Sequence, residues 1–155
     1  MKLASDLNAV AKVPVNPVDN PFIPTVLYNA MIRPLVPYAV RGAIWYQGEN
    51  NAPRAYRYRD LLPQMIASWR NDWNRQFPFL IVQLANYMQR KDQPAESEWA
   101  ELREAQLLTS EAVAGSGLAV AVDVGLADDI HPTDKQTVGE RLSLVARRVA
   151  YGENI

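Results

Sequence analysis

Between Tyr56 and Asn74 the apolar residues Tyr58, Leu62, Met65, Trp69 and Trp73 recur at spacings of three and four, with charges between them. That period predicts a helix with one buried stripe. Ser97 to Val113 reads as a second helix, with Ser97 as its cap and Glu101 and Glu104 near its positive end. Pro132 to Ala150 reads as the last helix. It carries Val138, Leu142, Val145 and Val149 on one face, and Pro132 in the first turn where a missing N–H does no harm. Thr25 to Leu35 is a shorter helix, with Thr25 as cap and Pro34 near its end. Three apolar runs have the length of buried strands: Ala39 to Tyr46, Phe77 to Ala85 and Leu118 to Val124. Residues 1–24 contain Pro14, Pro17, Pro21 and Pro24 and read as an irregular arm or linker.

The order is a helix, then strand and helix three times. This predicts an α/β fold, a parallel sheet with helices on both faces. Three strands are few, since about five or six is usual. The chain therefore reads as the C-terminal part of a larger α/β domain, or as a protomer that completes its sheet by association. Such an unpaired sheet edge predicts a homo-oligomer.

Composition narrows the chemistry. The 155 residues are 48% apolar and 21% charged, which suits one soluble globular domain. A net charge of −1 gives no electrostatic case for nucleic acid or an anionic membrane. Cysteine is absent, which excludes disulfides, thiolate catalysis and cysteine-based zinc sites. No run approaches the ~20 apolar residues of a membrane span, and residues 1–20 do not read as a signal peptide. The compartment stays open.

The single histidine, His131, stands in Asp128-Asp129-Ile130-His131-Pro132. It follows an apolar strand and precedes a helix, where α/β enzymes place their chemistry. Histidine is the usual acid/base group near neutral pH. The bland alternative is a solvated loop histidine. The segment Trp45-Tyr46-Gln47-Gly48-Glu49-Asn50-Asn51 ends the first strand and would face the same crevice. It offers an amide donor, a glycine for close backbone approach and a carboxylate. Together the two segments hold most of an acyl-transfer site: oxyanion donors and a histidine beside an acid. No serine fits the nucleophile. Ser116 is flanked by glycines but precedes a strand, and a nucleophile elbow follows one. A metal site is not expected, because zinc catalysis usually needs more nitrogen ligands than one histidine. No cofactor is expected either.

Five strings point to a family. They are Pro24-Thr25-Val26-Leu27-Tyr28-Asn29, Gly42-Ala43-Ile44-Trp45-Tyr46-Gln47-Gly48-Glu49, Phe77-Pro78-Phe79-Leu80 with Gln83-Leu84-Ala85, Leu102-Arg103-Glu104-Ala105-Gln106, and Asp129-Ile130-His131-Pro132 through Lys135-Gln136. From Pro24 onward the chain resembles the sialate O-acetylesterases of the SGNH (GDSL-like) hydrolase superfamily. The resemblance implies a three-layer α/β/α parallel sheet of flavodoxin-like type, present as the C-terminal portion of the catalytic domain over residues 25–155. It implies removal of acetyl groups from sugar hydroxyls, on sialic acid or other acetylated sugars, without a cofactor. His131 would be the general base. Asp128 would orient it by the Asp-x-x-His spacing, with Asp129 as the alternative. Gln47, Gly48 and the adjacent Asn50 would line the oxyanion and substrate side, with Glu49 bracing the loop. Arg103 would support a loop or meet a substrate carboxylate. Family members are often periplasmic, secreted or lysosomal.

Three departures accompany the resemblance. Asn50 replaces a usual serine, Ala30 replaces a usual glycine, and the Gly-Gln-Ser-Asn nucleophile block has no counterpart. The expectation is an esterase whose serine comes from a missing N-terminal half, inactive alone. The alternative is a non-catalytic carbohydrate-binding or interaction remnant, with Trp45, Tyr46, Tyr87 and Trp99 stacking on sugars.

Overall fold

The computed structural model describes residues 23–155. They form two units, 23–39 and Val40–Ile155. The proline-rich arm lies outside the described residues except for its last two.

The first unit departs from the expected α-helix. Tyr28–Ile32 is a π-turn, closed by a hydrogen bond from the Arg33 N–H to the Tyr28 carbonyl. Arg33–Leu35 then tightens into a 3-10 turn. Pro34 explains the change, because it has no N–H to continue an α-helical ladder. Thr25 has φ 73° rather than the extended backbone of an N-cap, so it starts the segment from a left-handed position.

The second unit holds the sheet. Strands β1 (Ala43–Trp45), β2 (Phe79–Val82) and β3 (Ser116–Ala119) are parallel in the order β1-β2-β3. Ala43 pairs with Phe79, and Phe79 with Ser116. Helices α1 (Ala55–Asp72) and α2 (Glu98–Ala112) cover one face. There Phe79 and Ile81 pack with Tyr58, Leu62, Ile66, Trp99, Leu102 and Ala105. Helix α3 (Lys135–Tyr151) covers the other face, where Val138 meets Val82 and Ala121. This is the expected three-layer α/β/α arrangement. Every side chain of β2 is buried, so the strand reads as an unbroken apolar run. Ile44 on β1 remains 65% exposed. Among the described residues, no helix is long and apolar enough to cross a membrane.

The expected strands Ala39–Tyr46 and Phe77–Ala85 shorten to Ala43–Trp45 and Phe79–Val82, and two further boundaries shift. β3 starts at Ser116 and ends at Ala119, shifted toward the N-terminus from the expected Leu118–Val124. Gly117 belongs in the strand because α3 lies against it: a Cβ there would be 2.5 Å from Val145 Cγ1. Val120 and Val122 are exposed, and the Val124 N–H turns back to the Ala121 carbonyl. The second move is at α3, which begins at Lys135 and not at Pro132. Asp134 caps it, its carboxylate accepting from the Thr137 N–H at 3.0 Å, so Pro132 lies upstream of the first turn. Ser97 caps α2 as expected, accepting from the Ala100 N–H at 3.3 Å.

Candidate active site

Because the strands are parallel, the segments after β1, β2 and β3 emerge at one end of the sheet. The loop after β1 carries Gln47, Gly48, Glu49 and Asn50. Gly48 adopts φ 153° and ψ −12°, in the region that disfavours a Cβ, and is buried. An added Cβ would lie 3.3 Å from Leu102 and 3.4 Å from the Gln106 amide. The Gly48 N–H donates to Glu49 Oε2 at 2.8 Å, so the carboxylate closes the turn on itself. The Gln47 carbonyl accepts from Gln106 Nε2 at 3.2 Å and from the Tyr58 hydroxyl at 3.4 Å. Asn50 is exposed in the following 3-10 turn.

Gln106 is fully buried on α2. Its Oε1 accepts from the Leu84 N–H at 2.9 Å. One amide therefore ties the end of β2 to the loop after β1. Tyr58 adds a second tie, its hydroxyl accepting from Trp45 Nε1 at 3.0 Å. Burial, the nearby Glu49 charge adding to it, raises the Tyr58 pKa against the lowering effect of that hydrogen bond.

The segment after β3 carries the histidine. The His131 side chain is 85% exposed. Its Nδ1 lies 3.1 Å from Asp129 Oδ1, and its backbone N–H donates to the same oxygen at 2.8 Å. The ring is thus turned by Asp129; no hydrogen bond joins it to Asp128, the acid that the Asp-x-x-His spacing favours. The Asp129 carboxyl is held below its ordinary range, first by the His131 backbone N–H, then by the ring and Lys135. Lys135 also links the two segments, since its Nζ sits 5.0 Å from the centroid of the Tyr46 ring. The Tyr46 hydroxyl is buried without a hydrogen-bond partner among the described residues. Burial and then Glu49 raise its pKa, so it stays a neutral phenol.

Arg103 stands one helical turn before Gln106. Its backbone carbonyl accepts from Gln83 Nε2 at 3.2 Å. The guanidinium has no hydrogen bond or ion pair among the described residues, so loop support comes from the main chain. Ser116 lies at the other end of the sheet from His131, at the start of β3. Among the described residues no three of His, Cys, Asp and Glu converge as metal ligands would.

Residues 18–146 match the carbohydrate esterase, sialic acid-specific acetylesterase family. The chain belongs to that family. It is 39% identical to the sialate O-acetylesterase of Rattus norvegicus over 157 residues, which is 91% of this chain and 29% of the rat protein. It is 35% identical to the human sialate O-acetylesterase, covering 30% of that protein. A carbohydrate acetylesterase structure from Xanthomonas citri superposes with a TM-score of 0.79 at 50% identity, over 86% of this chain and 31% of that one. The chain spans about three-tenths of the length of the curated relatives it matches.

Within this acetylesterase-family chain, sequence reasoning quoted Gln106 in a motif but assigned it no role. Its signal was a polar residue among the core positions Leu102, Ala105 and Thr109 of α2. Arg141 was also unassigned. It grips Asp123 with two hydrogen bonds of 2.5 and 2.7 Å, lowering the Asp123 pKa to about 2. The aromatic residues divide. Trp45 packs against Trp69 and Phe79, and Trp99 is 6% exposed with its N–H on the Ala85 carbonyl. Both are core. Tyr87 is half-buried against Trp99, with ring centroids 5.3 Å apart.

Proposed function

We propose that this chain contributes the base and oxyanion side of an esterase that removes O-acetyl groups from sugars, sialic acid among them. The observation that carries the proposal is the His131 ring, held at Nδ1 by Asp129 and open to solvent at its other nitrogen. A histidine so held can take a proton at Nε2 from a serine hydroxyl and return it to the leaving sugar oxygen. The serine oxygen attacks the acetyl carbonyl, the sugar alcohol leaves, and water then releases acetate from the acyl-serine. The Gln47 side chain is the oxyanion donor in this reading. Gly48 shapes the loop, because its N–H is already given to Glu49. Of the described serines, Ser97 caps α2, the Ser110 and Ser143 hydroxyls donate to helix carbonyls, Ser68 is exposed within α1, and the Ser116 hydroxyl is buried at the start of β3, the far end of the sheet from His131. The nucleophile is therefore proposed to come from outside this chain.

Acetate release from an O-acetylated sialoside tests the reading. The chain alone should be silent. Mixed with the serine-bearing N-terminal segment of a relative, it should release acetate, and His131→Ala should abolish that. Asp129→Asn against Asp128→Asn decides which acid orients the ring; the geometry supports Asp129. Activity of the chain alone would place a nucleophile here. Sugar binding unaffected by His131→Ala, without acetate release, would favour the non-catalytic alternative.

A further inference from the structure

The other end of the sheet, ahead of β2 and β3, holds charges that the esterase reading does not use. Helix α1 ends there in a left-handed turn. Asn74 has φ 47°, its N–H donates to the Asn71 carbonyl at 3.0 Å, and the Arg75 N–H reaches back to the Arg70 carbonyl at 2.9 Å. In a helix end closed this way, the two residues joined by the longer bond often make an apolar contact. Here both are arginine.

Arg70 is only 6% exposed. Its Nε donates to the Phe77 carbonyl at 3.0 Å and its Nη2 to the Gly115 carbonyl at 3.4 Å, so its hydrogen bonds go to neutral acceptors. Arg75 Nη1 likewise donates to a carbonyl, that of Val40, at 3.1 Å. Neither guanidinium has an ion pair among the described residues. Burial pushes the Arg70 pKa below its ordinary value. The negative end of α1 favours a cation, but only weakly for a single charge, and its last carbonyls already accept from Trp73, Asn74 and Arg75. Two like charges fixed on one turn, one of them buried, are costly without an anion between them.

Both side chains line a cavity of about 660 Å³. No acid lines it. Asn71 and Gln76 add amide donors, and Ala67 and Val113 form an apolar wall. A single carboxylate would leave one of the two cations unmatched. A phosphate monoester carries about 1.5 to 2 negative charges at pH 7 and offers three strong acceptor oxygens. Guanidinium forks bond such oxygens in pairs.

We propose that this cavity binds a small phosphate monoester, its phosphate held between Arg70 and Arg75 and its organic part against Ala67 and Val113. The site stands at the opposite end of the sheet from His131 and takes no part in ester cleavage. It does not depend on the esterase reading.

Amide NMR of the full chain, titrated at constant ionic strength with phenyl phosphate and with inorganic phosphate, tests this. Saturable shifts should centre on residues 70–76 and 113–115, and phenyl phosphate should bind more tightly because its ring meets the apolar wall. Arg75→Gln should weaken binding about tenfold, the scale of a hydrogen bond to a charged group. Arg70→Gln would also break the Phe77 and Gly115 contacts, so Ala67→Glu is the second variant. Ala67 is exposed on α1, and the glutamate sets a carboxylate in the cavity without touching those contacts; it should abolish binding. The absence of saturable shifts with phenyl phosphate would overturn the proposal. So would shifts spread over the basic surface at large, or binding unchanged in either variant. Inorganic phosphate binding as tightly as phenyl phosphate would overturn the assignment to a monoester.

Discussion

The segments that follow β1 and β3 emerge at the same end of the sheet and are held in opposite ways. After β1, the Gln47 carbonyl takes hydrogen bonds from a fully buried amide and a buried tyrosine, and Gly48 fits where a Cβ would crowd. After β3, the histidine stands in solvent, held by its neighbour two residues back. On the proposed esterase reading, the difference separates two jobs. An oxyanion donor must be in place before charge develops, so its loop is built into the core. A proton carrier must reach both a nucleophile and a leaving group, so its free nitrogen stays open.

Breaking the buried side should show the largest effect. Gln106→Leu keeps the apolar volume of the site but removes both bonds of the amide. The Leu84 N–H is then buried without a partner, and the Gln47 carbonyl keeps only the longer Tyr58 contact. We expect a loss of about 3 kcal/mol, read from urea unfolding. A loss below about 1 kcal/mol would mean that water replaces the amide, and that this end of the sheet is open to solvent.

Gly48→Ala comes next. It adds a Cβ at φ 153° and pushes it toward Leu102 and Gln106. The cost should be about 2 kcal/mol from backbone strain and crowding together. An unchanged unfolding midpoint would show that the loop can leave this conformation freely, which would remove the preorganised side of the comparison.

How far each side could be read from sequence follows the same division. β2 was legible because burial on both faces leaves an unbroken apolar run. β3 was placed too late, at Leu118–Val124, because hydrophobicity favours that run, while close packing of α3 demands Gly117, which carries no apolar signal at all. The start of α3 was misread for a related reason: Pro132 and Asp134 are both good helix starters, and only the Thr137 hydrogen bond decides between them. At the candidate site, the strings that hold His131 and Gln47 stood out by residue type, and their roles are what the proposal puts to the test. Gln106 did not stand out, because its value lies in joining residues 59 and 22 positions away in sequence. The choice between Asp128 and Asp129 depended on a ring orientation that spacing does not set.

On the exposed side, His131→Ala should leave the urea midpoint within experimental error, since the side chain is 85% exposed and substitutions at such positions rarely matter for stability. The same substitution should abolish acetate release in the complemented enzyme. A marked loss of stability would mean that the imidazole holds the loop, and the two sides would then be less different than the hydrogen bonds indicate.

The smallest effect tests what Asp129 is for. Its carboxyl lies below the ordinary 3.8, and the largest cause is the His131 backbone N–H, ahead of the ring. A carboxyl lowered in the folded state contributes stability above its unfolded value and loses it as the pH falls through the folded one. His131→Ala removes the ring and keeps the backbone N–H, so an NMR titration of Asp129 should still place it below 3.8. Asp129 is then a turn acceptor first, which presents the ring by shaping the chain beneath it. A return to the ordinary value in His131→Ala would reverse that order. The imidazole would be what holds the carboxylate, and the pair would be a side-chain dyad whose geometry depends on both members.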